Sequence, residues 1–574
     1  MGVIEKWDLV EYVDHDWAAE VVWRDLQSRP GADHLEVVDE GGRTTAAQLH
    51  HSEPKVAWVT DLPAGARKSF TLREAAAPPD TPLSLKISPG VAEVTNASFG
   101  LRLGWEGADL QAGPIVAVRG VDGIWFGGSS FDADTPERQD LRCEVLAGGP
   151  VVVRLRQTFA LADGSTLRLT WEVGAAAAAV RCWQEQQGDA GGAVVWHLGR
   201  GFEPTQAYWR PHTSSRVPIH RQHDYHRHTY PMRYPSEPER MELGLMYMHG
   251  FDRSNIWAGW YAGGERRDVL MVAPIRPSRT RVAAGELWTR HPSGAGYTHA
   301  NRLRWAQHSA VEVDGEKRID LGLPLQEGVR PFALAMLDRE GADLSCEQGR
   351  NPANDIDRLC ARLMALGLND YARMDLDWPG IREARFPGIF LGAGELPEIR
   401  RTLEEWDWFR EVFCAHVEDE FFNSLAGNDM LLAKGLPPIG RDLAGAYLAT
   451  GDESYAARAK EELVPLFEPL VECMLGYSIG NERNFGISLA QSIPRDALAL
   501  DFILGSGQFT AEERLALLRK MLFLAETIMS EDTWPRYESG LALSMRNFNT
   551  HVIFGRAVLA GRSEGHPRQK QWFA

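Results

Sequence analysis

Arg546, Asn547, Asn549 and His551 fall within six residues of one another, and their types suit a site for an anionic group. Asn and Arg can hydrogen-bond a carboxylate and stabilise charge developing on it, while His can exchange a proton. If a helix begins near Phe548, Asn549 and His551 lie in its first turn. There the free N–H groups and the helix dipole favour a bound anion. The competing use is plain capping, with Asn547 or Asn549 closing the helix end and His551 partly buried as a structural residue.

Two further segments carry chemistry-bearing types. Tyr477, Arg483 and Asn484 sit in the polar stretch Gly476–Gly486, with Gln491 just beyond, and could offer amide and guanidinium donors to sugar hydroxyls or carboxylates. Ordinary loop solvation competes with that use. Trp534 and Tyr537 could stack on pyranose rings or fill the space between helix ends.

The stretch Gly201–Arg240 holds six arginines, five of the seventeen histidines, and Tyr208, Trp209, Tyr225, Tyr230 and Tyr234. A long loop so rich in polar and aromatic groups usually has a functional reason, and Tyr230 or His226 could donate a proton from it. His223, Asp224, His226 and His228 are also possible ligands for a divalent metal, but their spacing matches no strict zinc motif. No metal or cofactor is expected.

These residues must be positioned by two kinds of element. Up to about residue 350, apolar residues alternate at period two between Gly, Asp and Pro punctuation, which predicts antiparallel strands. Phe99, Leu101, Leu103 and Trp105 form one series; Val151, Val153, Leu155, Gln157 and Phe159 form another, followed across Asp163-Gly164 by Leu167, Leu169, Trp171 and Val173. The Asp-Gly pair predicts a hairpin turn. The alanine- and proline-rich stretch 75–82 reads as a linker after a small β-domain.

Beyond about residue 355 the period becomes helical. Leu396, Ile399, Leu403, Trp406, Phe409 and Phe413 predict one apolar stripe. Thr510 with Glu513 fits a capping box, with Leu515, Leu518, Leu522, Ala525 and Met529 following on one face. Pro465 and Pro469 are expected to shorten or kink the helix they fall in. The expected organisation is a small β-domain at 1–80, a large antiparallel β-sandwich at 81–350, a linker at 351–385 and a helical domain at 386–574.

Composition narrows the function. The net charge of −18 argues against nonspecific nucleic-acid binding, because phosphate contacts need a basic face. No apolar run approaches the roughly 20 residues that cross a bilayer, so no membrane partner is expected. The first residues lack a basic and apolar leader, which favours a cytoplasmic location. Six cysteines without a CxxC spacing point to reduced, mostly buried thiols rather than a disulfide framework. Oligomeric state is open.

Four segments, in order, resemble the helical domain of heparinase II/III-like and alginate-lyase-like polysaccharide lyases. They are Phe386–Arg400, with its Phe-Pro-Gly-Ile-Phe-Leu-Gly sequence; Ala444–Ala459, with Thr-Gly-Asp-Glu-Ser-Tyr-Ala; Asp496–Glu513; and Arg546–His551. The resemblance implies an incomplete (α/α) toroid preceded by β-sandwich domains. It implies β-elimination on an acidic, uronic-acid-containing poly- or oligosaccharide. Asn549, His551 and Tyr230 would then be catalytic, with Arg546, Asn547, Tyr477, Arg483, Asn484, Gln491 and His226 binding substrate.

Two other functions fit the residues. A glycoside hydrolase or phosphorylase would need a positioned carboxylic acid, for which Glu482, Asp496 or Glu538 are candidates. A noncatalytic carbohydrate-binding or truncated protein would use the groove without turnover.

Overall fold

The computed structural model describes residues 2–32, 34–77, 79–188, 191–199, 201–210, 228–231, 239–246, 257–275, 302–313, 315–325, 328–344, 353–364, 366–415, 439–475, 485–529, 554–555 and 557–570, with only the backbone described in parts of several elements. The chain divides into two compact units. The first comprises residues 1–11, 16–248 and 253–372, and the second residues 12–15, 249–252 and 373–574. Antiparallel sheets therefore precede helices, as the periodicity predicts.

In the first unit, β1 (Val3–Val10), β2 (Trp17–Asp25), β3 (Leu35–Asp39), β4 (Thr44–Leu49), β5 (Lys55–Leu62) and β6 (Arg67–Glu74) form one sheet in the order β1-β6-β3-β4-β5-β2. A second sheet, in the order β11-β10-β9-β8-β7, holds β7 (Ser84–Ser88), β8 (Val91–Thr95), β9 (Gly100–Gly104), β10 (Ile115–Arg119) and β11 (Trp125–Phe126). The later strands are β12 (Ser129–Phe131), β13 (Arg138–Gly148), β14 (Val152–Leu161), β15 (Thr166–Gly174), β16 (Ala179–Gln187), β17 (Ala193–Leu198), β18 (Gln206–Arg210), β19 (His228–Pro231), β20 (Glu239–Met246), β21 (Trp257–Tyr261), β22 (Asp268–Pro274), β23 (Arg302–Val313), β24 (Glu316–Pro324) and β25 (Gly328–Asp338). They make a five-stranded sheet, β12-β17-β24-β23-β20, and a nine-stranded one, β13-β14-β15-β16-β25-β22-β21-β18-β19.

The alternating residues behave as their period demands. Phe99, Leu101, Leu103 and Trp105 are all buried, and so are Leu155, Phe159, Leu167, Leu169, Trp171 and Val173. The Asp163-Gly164 turn joins β14 to β15, with Gly164 at φ +85 and the Ser165 amide bonded to Asp163 Oδ1 at 2.9 Å. Gln157 falls on the buried face and is fully enclosed. Its side-chain amide donates to the Gly104 and Pro114 carbonyls (2.7 and 3.1 Å), and its oxygen accepts the Trp171 indole N–H (2.8 Å). A polar residue in a core position is thereby satisfied.

One apolar core joins the inward faces of the second, third and fourth sheets. A second core lies on the opposite face of the nine-stranded sheet, where Val269, Met271, Ala333, Ala335 and Leu337 meet Ile356, Leu359 and Leu363. The last three belong to α1 (Asp355–Met364), which with α2 (Leu368–Tyr371) occupies sequence expected to be linker. Burial on both faces explains why β22 and β25 read as near-continuous apolar runs rather than as alternation.

The second unit contains α3 (Leu396–Glu404), α4 (Ile439–Thr450), α5 (Glu453–Leu475), α6 (Phe485–Ile503) and α7 (Ala511–Met529). The capping box at Thr510 forms, with the Glu513 amide bonded to Thr510 Oγ1 (3.1 Å) and the Thr510 amide to Glu513 Oε2 (2.8 Å). Behind it Leu518, Leu522 and Ala525 are buried. Two expectations change. α5 runs from Glu453 to Leu475 across both prolines, so they do not shorten it. The stripe Leu396–Phe413 is interrupted instead: α3 ends at Glu404, a π-helix covers Phe409–Cys414, and Trp406 is 59% exposed. The described helices pack as a group, and a toroid is not shown by the described residues. None of these helices is long and apolar enough to cross a membrane.

His566 fastens a turn of this unit. Its Nε2–H donates to the Asp375 carbonyl (2.9 Å), so Nδ1 is left to accept the Arg568 amide (3.1 Å). Burial lowers its pKa.

Candidate functional site

The first unit carries an open cleft of about 940 Å³, within the size range of small-molecule sites. Its floor is Met336, Leu337 and Asp338 at the end of β25. One rim is the loop Ala97–Ser98 and the turn Arg119–Gly123, and the other is Asp355, Arg358, Leu359 and Arg362 on α1.

Each wall has a local cause. Asn96 is buried and uses its whole side chain. Nδ2 donates to the Gly174 and Ala177 carbonyls (2.9 and 2.8 Å), and Oδ1 accepts the Ser98 and Phe99 amides (2.9 and 2.7 Å). Arg119 then donates to the Asn96 and Phe99 carbonyls (2.6 and 3.2 Å), tying the loop to the neighbouring turn.

The turn Gly120–Gly123 is held from below. Asp268, with no exposed surface, accepts the Val121 amide at 2.7 Å and the Arg266 Nε–H at 2.7 Å. Arg266 in turn reaches Asp122 at 3.3 Å. A Cβ at Gly120 would collide with Asp268 Oδ1 and Arg266, so the turn requires glycine at that point.

The α1 rim is set by Asn354, 4% exposed. Its Oδ1 accepts the Ile356 amide (3.2 Å), the capping role expected of Asn at a helix start, and the Asp343 amide (3.2 Å). The Asp355 amide donates to the Gly341 carbonyl (2.9 Å), and the Gly341 amide to the Asp338 carbonyl (3.1 Å), so these two aspartates are linked through one loop residue. Asp355 pairs with Arg358, and Asp338 takes Arg267 on Oδ1 at 3.0 Å and on Oδ2 at 2.7 Å.

The lining thus brings Asp122, Asp338 and Asp355 together with Arg119, Arg358 and Arg362, equal numbers of carboxylates and guanidiniums. A neutral, hydroxyl-rich ligand matches such a surface, since each group can accept from or donate to a hydroxyl without a net charge to oppose.

The residues singled out from sequence are placed differently. Arg546, Asn547, Asn549, His551, Tyr477, Arg483, Asn484 and His226 lie outside the described residues, as do Glu482 and Glu538. Tyr230 is in β19, its backbone paired with Ala207 of β18, and Gln491 is in α6; their side chains are not described. Asp496 is 2% exposed and accepts Arg441 Nε–H at 2.6 Å. Burial pushes its carboxyl above the usual range while Arg441 opposes the shift. That is an internal ion pair of the helical unit. Among the described residues no cluster of His, Cys, Asp and Glu is arranged to hold a metal.

Among the segments that suggested a lyase, the described ones have packing roles. Buried Asp501 accepts the Gly388 and Ile389 amides (2.8 and 3.0 Å) and Arg562 Nη1–H (2.9 Å), and Arg562 lies over the Phe386 ring at 4.2 Å. The Phe-Pro-Gly-Ile stretch is anchored by that carboxylate. In Thr450–Tyr455, Gly451 takes φ +75 and Asp452 Oδ1 accepts the Ser454 amide (2.9 Å), a helix–turn–helix connection.

No family model and no curated protein matches the chain. Solved structures similar to it include an alpha-mannosidase from Enterococcus faecalis (8% identity, TM-score 0.30, 58% of this chain and 43% of that one). An alpha-galactosidase from Lactobacillus brevis also matches (9%, 0.21, 55% and 40%). So does a TPR-domain containing protein from Parabacteroides distasonis (8%, 0.25, 96% and 97%). The chain spans less than half the length of the two glycosidases. At these scores the likeness assigns neither fold nor activity. The polysaccharide-lyase expectation is nevertheless corrected: these solved structures are sugar hydrolases and a TPR protein rather than heparinase- or alginate-lyase-like enzymes.

Proposed function

We propose that the chain is a carbohydrate-active enzyme of the glycoside-hydrolase class, with the charged cleft of the β-unit as its sugar-contacting surface. The carrying observation is the lining itself. Three carboxylates and three guanidiniums surround about 940 Å³ with no net charge. Hydrolysis of a glycosidic bond needs one carboxyl to protonate the leaving oxygen and a second to activate water or attack the anomeric carbon. Asp338 and Asp355, whose main chains are joined through Gly341, are the pair assigned here; Asp122, Arg119 and Arg362 would orient hydroxyls. The order of β-sheets before helices supports the same class, and the helical unit is then read as part of an (α/α) ring.

The test is release of nitrophenol from a panel of neutral nitrophenyl glycosides, with sugar binding followed by calorimetry. Turnover of one glycoside, reduced at least 100-fold in both Asp338→Asn and Asp355→Asn with binding retained, is the expected result. A folded protein that neither binds nor cleaves any member rejects the assignment, and turnover undiminished in both variants moves the site elsewhere.

A further inference from the structure

Outside the cleft, a hydrogen-bonded row crosses three neighbouring strands of the five-stranded sheet. Ser130 Oγ lies 2.8 Å from His197 Nε2, and His197 Nδ1 lies 2.8 Å from Asp320 Oδ1. The strand register makes this row. β12 pairs with β17 so that Ser130 faces Val195, and β17 pairs with β24 so that His197 faces Asp320. Val194, Trp196 and Leu198 point into the core and are buried, which turns Val195 and His197 to the other face. On β24 the buried Leu321 and Leu323 likewise put Asp320 on that outer face.

The protons follow from the partners. An ionised carboxylate only accepts, so Nδ1 of His197 carries the hydrogen and donates to Asp320. In the neutral imidazole Nε2 is then the lone pair to which Ser130 Oγ–H donates. Arg318 holds the carboxylate, with Nη2 donating to Oδ2 at 3.1 Å and Nε 2.9 Å from Oδ1. The His197 side chain keeps 30% of its surface exposed and that of Asp320 18%, so the base is oriented from behind and open to solvent in front. Nucleophile, base and orienting carboxylate stand in the relation that activates serine for acyl transfer.

We propose that Ser130, His197 and Asp320 form a serine-nucleophile relay that hydrolyses short-chain acyl esters, an activity separate from the glycosidase assignment. Val195, the register partner of Ser130 on the same face, supplies a small apolar surface beside the nucleophile. That suits an acetyl group better than a long acyl chain.

As Ser130 Oγ bonds to the ester carbonyl carbon, its proton passes to His197 Nε2 and the carbonyl π pair moves onto oxygen. Collapse of this tetrahedral species breaks the carbon–alkoxy bond, and His197 returns the proton to the leaving alcohol. Water then attacks the acyl-serine, giving its proton to His197. The second collapse restores the Ser130 hydroxyl and releases the carboxylic acid, so ester plus water becomes acid plus alcohol.

The full chain is incubated with a fluorophosphonate probe and digested, and labelled peptides are identified by mass spectrometry. Hydrolysis of p-nitrophenyl acetate is followed in parallel. The expected result is an adduct on Ser130 and ester turnover above buffer. Ser130→Ala removes both, and His197→Gln slows labelling at least 100-fold while circular dichroism and melting temperature stay at wild-type values. Folded wild-type protein without an adduct on Ser130 overturns the proposal, as does labelling that His197→Gln leaves unchanged. Either would make the row a structural tie between strands.

Discussion

Replacing Asn96 by alanine isolates the polar clamp behind one wall of the cleft. The side chain makes four hydrogen bonds, two donated to the Gly174 and Ala177 carbonyls and two accepted from the Ser98 and Phe99 amides, from a site only 4% exposed. At a net ~1 kcal/mol each, with a range of about 0.5–1.5, their loss destabilises the β-unit by about 4 kcal/mol and at least about 2. The assay is guanidinium unfolding of wild type and variant followed by tryptophan fluorescence. Asn96→Asp sharpens the test. It keeps both acceptor bonds but turns a carboxylate on two carbonyl oxygens, so its folded-state pKa is raised. Stability relative to wild type should therefore be higher at pH 4–5 than at pH 8, since protonation supplies one donor. A loss below about 1 kcal/mol for Asn96→Ala, or a pH-independent penalty for Asn96→Asp, refutes the view that these bonds hold the loop.

Arg562→Met should cost about 3–5 kcal/mol, measured by chemical unfolding, because it leaves the Asp501 carboxylate, 0% exposed, without its cation. For His566, burial lowers the folded pKa below the unfolded value, so its contribution is complete above about pH 6.5 and is lost as pH falls below that value, levelling off beneath the folded pKa. The difference in melting temperature between pH 8 and pH 5 should shrink in His566→Gln.

Local features were legible in the sequence because they depend on neighbours along the chain. The Asp163-Gly164 turn, the Thr510–Glu513 box and the alternation through Phe99–Trp105 each require only a few consecutive residues. Gln157 belongs to the alternating series by position, and the partners that satisfy its buried amide come from Gly104, Pro114 and Trp171, which the local pattern does not name. The cleft and the serine relay were not legible for the converse reason. Asp338 and Asp355 meet Arg119 only through sheet topology, and Ser130, His197 and Asp320 are brought together by the register of β12, β17 and β24. A weak signal existed for the relay: His197 is the one polar residue of the apolar run Ala193–Leu198, and Asp320 shares the polar phase of β24 with Glu316 and Arg318.

The support beneath the Gly120–Gly123 turn makes the cleft mutable on one side only. Asp268 and Arg266 fill the space a side chain at 120 would need, and both are committed to the turn's backbone and to Asp122. Substitution there should disturb folding before it alters ligand preference. Arg358 and Arg362 project from a helix whose apolar face is already seated on the sheet, so they can be exchanged without touching that seat. A library meant to change ligand choice would diversify those two positions and leave the glycine turn alone. Divergence among related chains should show the same asymmetry, with an invariant turn facing a variable helix edge.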